Sequence, residues 1–142
     1  MIHALDAEQA VLGAALLDAR SIEHAQLRPS HFYDPTHAAL WAEMLERQRG
    51  DRLIDALALK AFAAETFKEL GGHLYLMKLI DRAAPLSAQV RGYGEIIRDH
   101  ARRREVDKAC DHAKALAKQG GEDVLALLEQ QLVGPLAAAC PQ

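Results

Sequence analysis

Cysteine is scarce in this chain: Cys110 and Cys140 are the only two among 142 residues. That is too few for the disulfide framework of a small secreted domain and too widely spaced for a zinc ribbon, so the reducing cytosol is the expected environment, with both thiols free. No apolar run reaches the length of a membrane span, and Met1–Gln9 carries acids where a signal peptide has a basic start and an apolar core. The expectation is a soluble, cytoplasmic protein that does not touch membrane. Aromatics make up 5% of the chain, which excludes a surface of repeated base-stacking rings. Positive charge is lacking too: 17 Lys and Arg stand against 20 Asp and Glu, a net charge of -3. Non-specific nucleic-acid binding by a strong positive field is thereby excluded, and any DNA contact has to be local. Catalytic strings are absent as well. No G-x-x-x-x-G-K-[ST] phosphate loop, no G-x-S-x-G and no H-E-x-x-H occurs, so the chain is expected to hold no catalytic residue and no cofactor.

What is present is an apolar half of the composition, rich in Ala and Leu and therefore in helix formers, on a length suited to one domain. Asp6, with Gln9 three residues on, is expected to cap a first helix through Leu17. Its apolar residues wrap most of the circumference, so it should lie at the buried centre, with Gly13 at a close helix crossing. A short helix is expected from Ser21 to Leu27, ended by Pro29. Asp34-Pro35 starts another, in which Leu40, Trp41, Met44 and Leu45 form an apolar stripe closed by Gly50. Ile54-Asp55 is expected to begin the next, with Leu57, Leu59 and Phe62 in the core. After the Gly71-Gly72 break, Leu74, Tyr75, Met77, Leu79 and Ile80 supply a further apolar surface before Pro85.

From Ser87 to Gln119 no proline intervenes, and the longest helix is expected, with an apolar face of Val106, Ala109, Cys110, Ala113, Leu116 and Ala117. Cys110 reads as a small buried hydrophobe. Gly120-Gly121 permits a reversal, Glu122-Asp123 suit a helix N-terminus, and Val124, Leu125, Leu128 and Leu132 make a matching stripe, ended by Gly134-Pro135. The chain is therefore expected to be all-α: a globular helical bundle as head (1–84), an antiparallel helical hairpin (85–133) and a tail (134–142), together one structural domain.

Several residues invite sharper readings. His31, Asp34 and His37 have metal-ligand chemistry, but Asp34 is accounted for as a cap and a third or fourth ligand is wanting, so no metal site is expected. His37 should pack or bond within the fold. Trp41, Phe32 and Tyr33 read as core anchors rather than a stacking platform. Gly71-Gly72 lacks the strand and third glycine of a dinucleotide loop and reads as a turn. Arg98, Arg102, Arg103 and Arg104, with Lys108, Lys114 and Lys118, form the one basic concentration. Glu95, Asp99, Glu105 and Asp107 interleave with them, and a salt-bridged solvated face is the simpler reading beside contact with phosphate or an acidic partner.

Taken in order, Asp6-Ala-Glu-Gln-Ala-Val-Leu-Gly13, Leu16-Leu17-Asp18, Phe32-Tyr33 with His37, Ile54-Asp55, Gly71-Gly72 with Tyr75-Leu76, and Tyr93 with Ile96-Ile97 form a pattern. From about Leu5 to Leu128 it resembles the amino-terminal domain of DnaB-type replicative DNA helicases. Gln89 and Gly92 depart from the family's usual Asn and Tyr. The resemblance implies a collar domain that self-associates through its hairpin, as a dimer or higher oligomer, and receives primase or a helicase loader. It also implies indirect contact with single-stranded DNA and an ATP-hydrolysing motor on a separate domain. On that reading the interface candidates are Tyr93, Ile97, Arg102, Arg103, Val106, Ala113, Leu116, Leu125, Leu128 and Leu132. With no phosphate loop the chain is not expected to unwind DNA alone. It reads either as a piece of a longer helicase or as a complete short protein, and the tail's departure from the usual linker favours the second. The alternative from a different class is a small stand-alone DNA-binding or helicase-regulating protein using the Arg98–Arg104 arm. Salt separates the two, since phosphate contacts weaken steeply with ionic strength and an apolar interface does not.

Overall fold

The computed structural model describes residues 4–119, and these are helical with no strand among them. Helix α1 is Leu5–Leu17, α2 is Ser21–Ala25, α3 is Pro35–Arg49, α4 is Lys60–Thr66, α5 is His73–Asp81 and α6 is Ser87–Gln119. Short 3-10 turns at Pro29–His31 and Lys68–Leu70 join them. The chain divides after Arg98, within α6, into two compact units. The reversal at Gly120-Gly121, the returning stripe from Val124 to Leu132, the tail and Cys140 lie outside the described residues.

In the first unit α1 is the central element, because its apolar residues leave no polar face to turn toward water. Ala7, Glu8 and every residue from Ala10 to Leu16 are buried. Helix α5 packs across it at Gly13, where an added Cβ would stand 1.9 Å from the Leu79 carbonyl oxygen and 3.0 Å from the Ala83 Cα. The close approach continues as a backbone bond from the Ala84 N–H to the Ala10 carbonyl, 3.1 Å. Helix α3 starts as expected: the Asp34 carboxylate accepts from the Thr36 N–H at 2.8 Å, with Pro35 at the first helical position. Its Leu40, Trp41 and Met44 are fully buried. The Trp41 indole N–H donates to the Leu27 carbonyl at 3.0 Å, so the ring's one polar atom is satisfied where it is buried.

Four local expectations are corrected. Asp6 does not cap α1: the cap position is Ala4, two residues earlier and without a side-chain cap, and Asp6 lies in the first turn, where its charge still suits the macrodipole. Ile54-Asp55 does not begin the next helix. The Asp55 carboxylate binds the Ala58 N–H at 2.8 Å and closes a single turn, α4 starts only at Lys60, and Leu57 is 77% exposed. In α5 the core face is Tyr75, Leu76 and Leu79. Leu74 and Met77 fall on the opposite side of the 3.6-residue repeat and are exposed. Cys110 is exposed, because the buried position at that level of α6 is Ala109, about 100° round the helix.

Helix α6 runs unbroken over 33 residues, roughly 50 Å at the usual rise. Its first turns belong to the head. Val90 and Ile97 join the apolar core, with Tyr93 packed against it. Gly94 meets the end of α2 so closely that a Cβ there would lie 2.4 Å from the Ala25 carbonyl oxygen. One turn on, the Arg98 guanidinium donates to the Ala25 and Gln26 carbonyls at 2.7 and 3.0 Å. Gln26 is left-handed (φ 52), so α2 ends there, and a cation supplies its orphaned carbonyls.

Candidate functional site

Among the described residues two features bear on the sequence-derived candidates: a buried chain of hydrogen bonds in the head, and the outer half of α6.

The first starts at Glu8, an acid placed on an otherwise apolar circumference and only 1% exposed. A buried carboxylate needs donors, and three converge on it. The Tyr33 N–H donates at 2.7 Å, the His37 Nδ1 lies 2.9 Å away, and the Asp34 N–H stands farther off at 3.4 Å. His37 is likewise 1% exposed, and its Nε2 lies 2.6 Å from the Tyr75 hydroxyl. That hydroxyl also accepts from the Gln9 amide at 3.3 Å, and the Gln9 carbonyl takes the Arg82 guanidinium at the surface. With Nδ1 as donor to Glu8, Nε2 accepts a hydrogen bond from the Tyr75 hydroxyl and each imidazole nitrogen is satisfied. Burial raises the Tyr75 pKa, partly offset by the hydrogen bond from Gln9. At Asp34, burial raises the pKa, but the Thr36 side-chain and backbone donors outweigh it and hold the carboxyl below its ordinary value.

Chemically this chain resembles an acid–histidine–hydroxyl relay, but it has no room for a substrate, since Glu8 and His37 are sealed by α1, α3 and α5. Its work is to fix three helices to one another. It binds α1 to the corner that starts α3 and ties both to α5. His31 and Asp34 do not join His37 around a common point. The His31 Nδ1 accepts the Arg28 N–H at 2.9 Å, and Asp34 caps α3. Among the described residues no group of three His, Cys, Asp or Glu side chains is placed to hold a metal ion, and no helix is long and apolar enough to cross a membrane.

The α6 candidates separate into two groups. Ile97 is 1% exposed and committed to the head's core, leaving no surface for a partner. Tyr93 packs at the core's edge and lines a shallow pocket of about 380 Å³ with Asp6, Gln9 and Arg82. Farther along, Arg102 and Arg103 both reach Asp99, at 3.6 and 3.1 Å, so this stretch of the basic concentration is partly neutralised within its own helix. Val106 is 39% exposed, while Ala113 and Leu116 are half-buried. Leu125, Leu128 and Leu132 lie outside the described residues.

A family model described as the DnaB-like helicase N terminal domain matches residues 1–99. The chain belongs to the DnaB-like helicase N-terminal domain family. Among curated proteins it is similar to the replicative DNA helicase DnaB of Treponema pallidum (strain Nichols), 38% identical over 112 residues. It is also similar to that of Geobacillus stearothermophilus, 35% identical over 101 residues. The matches cover 75% and 68% of this chain but 25% and 22% of those helicases, so the chain spans about a quarter of their length. Among solved structures, the N-terminal domain of DnaB helicase from Mycobacterium tuberculosis superposes with a TM-score of 0.83 at 26% identity, over 94% of this chain and 98% of that one. A DnaB-like replicative helicase described with its interactions with primase superposes with a TM-score of 0.67 at 26% identity, over 96% of this chain and 32% of its own.

The blocks that carry the resemblance to DnaB are the ones the fold brings together. Glu8 and Gln9 come from the first, His37 from the Phe32-Tyr33 block and Tyr75 from the Gly-Gly block, and they meet in one hydrogen-bonded chain. Sequence reasoning missed that convergence. A signal was present in Glu8, a carboxylate where the helical repeat allows only burial. Gly94 and Arg98, which seat α6 on α2, were also missed as a pair. Their four-residue spacing puts them on one helix face, but nothing local names the end of α2 as their target.

Proposed function

We propose that this chain acts as the collar domain of a replicative helicase. In this reading, copies associate through the long arm and primase or a helicase loader docks on it, in the cytoplasm. ATP hydrolysis and translocation along single-stranded DNA belong to a separate motor domain. The observation that carries the reading is the likeness over nearly the whole chain both to an isolated DnaB N-terminal domain and to a helicase described with primase. The chemistry of the arm supports it. Beyond Asp99 the helix carries exposed Val106, half-buried Ala113 and Leu116, and the charged rim of Arg102 and Arg103, an apolar strip bordered by charge of the kind that protein partners bury.

Titration of the pure domain with primase from the same organism, followed by calorimetry, tests the proposal. Saturable binding that survives 0.5 M salt is expected, weakened by charge reversal at Arg102 and Arg103. Absence of binding to primase and to loader alike would overturn it. The competing reading, phosphate binding by the Arg98–Arg104 arm, is disfavoured because Arg98 is spent on the α2 carbonyls and Asp99 partly neutralises Arg102 and Arg103, which leaves a charged rim but not a strong positive field.

A further inference from the structure

A cavity of about 430 Å³ opens on the head where the end of α1, the start of α2 and the connection from α5 into α6 come together. It lies within the first unit and shares no lining residue with the pocket beside Tyr93. Leu17, Ile80, Leu86 and Val90 give it an aliphatic wall, in which Leu17 is 63% and Leu86 62% exposed. Two leucines held open to water beside a concavity suit an apolar group that would cover them.

The rest of the lining is rich in donors that the chain does not use. At the start of α6 the Leu86 carbonyl accepts from the Gln89 and Val90 N–H groups at 3.0 and 3.1 Å, so Leu86 holds the cap position. Its aliphatic side chain offers no acceptor to the N–H groups of Ser87 and Ala88. No acid stands in the first turn of this 33-residue helix, which leaves its positive end without a counter-charge from its own residues. Ser21 points independently to a ligand. It is only 8% exposed and lines the cavity, yet its hydroxyl has no hydrogen-bond partner among the described residues. A hydroxyl so nearly enclosed ordinarily finds one, and the cavity is where a partner can stand. The one acid on the lining, Asp18, is already engaged. The Arg20 guanidinium donates to it at 2.8, 3.1 and 3.2 Å and holds its carboxyl below the ordinary value, so the pair adds no net negative charge.

We infer that this cavity binds the carboxyl-terminal residue of a partner peptide whose last side chain is aliphatic. The terminal carboxylate lies on the Ser87 and Ala88 N–H groups, where the helix dipole favours negative charge, and the side chain covers Leu17, Ile80 and Leu86. The Ser21 hydroxyl and the His24 imidazole, both on the lining, remain as donors for the carbonyl of the preceding peptide unit. A simple aliphatic acid has no such carbonyl and would leave Ser21 unsatisfied. A nucleotide would bring several charges to a site whose one guanidinium is spent on Asp18. The site is on the head and does not depend on self-association of the arm.

Titration of the isotope-labelled full chain with acetyl-Ala-Ala-Leu, followed through backbone amide NMR, tests the inference. Saturable shifts at the Ser87 and Ala88 amides are expected. The same peptide ending in a carboxamide should bind at least about tenfold more weakly, since charge-assisted hydrogen bonds are lost. Ser87→Asp sets a carboxylate of the chain's own at those amides and should weaken binding by a similar factor without lowering the unfolding midpoint. Ser21→Ala should weaken it by a factor of about two to ten, again with the midpoint unmoved, because the hydroxyl bonds to nothing in the free protein. Equal binding of acid and carboxamide by the natural chain, or undiminished affinity in Ser87→Asp, would overturn the carboxylate contact. Acetate that binds as tightly as the peptide would overturn the apolar half of the site, and a lowered midpoint in Ser21→Ala would assign that hydroxyl to the fold instead of a ligand. Shifts that never saturate would remove the site altogether.

Discussion

Replacing Glu8 with alanine removes the acceptor on which the head's buried polar chain converges. Three donors then lose an acceptor: the buried His37 Nδ1 at 2.9 Å, the part-buried Tyr33 N–H at 2.7 Å and the more distant Asp34 N–H at 3.4 Å. An orphaned buried donor costs about 1–3 kcal/mol, and breaking a buried charge-assisted pair about 3–5 kcal/mol, so the loss should be about 3–5 kcal/mol. That is a large share of the roughly 5–15 kcal/mol that holds a domain folded. Urea unfolding followed by far-UV circular dichroism reads it as a fall in midpoint at unchanged slope. Graded variants guard against simple failure to fold. Glu8→Gln keeps the shape and one acceptor and should lose about half as much. Tyr75→Phe leaves the buried His37 Nε2 without its donor and should lose about 1–3 kcal/mol, while the Gln9 side-chain oxygen keeps its bond to Arg82. Asp6→Ala, an exposed acid two residues away, should change stability by less than about 0.5 kcal/mol. A Glu8→Ala protein within about 1 kcal/mol of the natural one would refute the claim that this network fastens α1, α3 and α5 together.

Three further outcomes follow from the same geometry. Gly13→Ala forces a methyl against the Leu79 carbonyl of a packed helix, and a loss of at least about 1–3 kcal/mol is expected in thermal unfolding; an unchanged midpoint would contradict the crossing. Gly94→Ala should lose a similar amount against the Ala25 carbonyl, whereas Gly92→Ala on the same helix meets nothing and should gain about 0.5–1 kcal/mol of helix propensity, so opposite signs in one assay are the test. Asp34→Ala removes the cap of α3 and should cost about 1 kcal/mol at pH 7. Because the folded-state pKa of Asp34 is lowered, its ionised form contributes above the ordinary carboxylate range and that contribution fades as pH falls through the lowered value. The natural and variant proteins should therefore converge in stability below about pH 3, and a gap that stays constant into that range would be the wrong sign.

Much of this fold was legible in the sequence, and the failures have a common cause. Asp34-Pro35, Gly71-Gly72 and the unbroken run from Ser87 to Gln119 are local signals, and each marks the element it announces. So does the all-round apolar surface of α1, which has nowhere to go but the centre. What stayed hidden depends on residues far apart in sequence. Glu8 reads locally as one more acid in a first turn, and His37 as a residue of a helix start; only the crossing of α1 with α3 and α5 makes them partners. The same holds for Leu57, Leu74 and Met77, apolar residues that a composition-based reading places in the core and that face solvent, because α4 is short and α5 needs only Tyr75, Leu76 and Leu79.

Helix α6 divides after Arg98 into a stretch committed to the head and a stretch that is not. Up to Arg98 its inward residues are each committed: Val90 and Ile97 to the core, Gly94 to a backbone contact, Arg98 to the α2 carbonyls. None can vary without cost to the head. From Asp99 onward the helix needs neither core burial at every turn nor capping of a neighbour, and exposed positions such as Val106, Asp107, Asp111, Lys114 and Lys118 are free to be chosen by what they meet outside the chain. Substitutions in the first stretch should therefore appear in unfolding curves, and those in the second in association constants with the unfolding curve unmoved. A charge reversal at Lys114 and Lys118 that lowered the unfolding midpoint of a monomeric sample as much as Gly94→Ala does would show that the division is false.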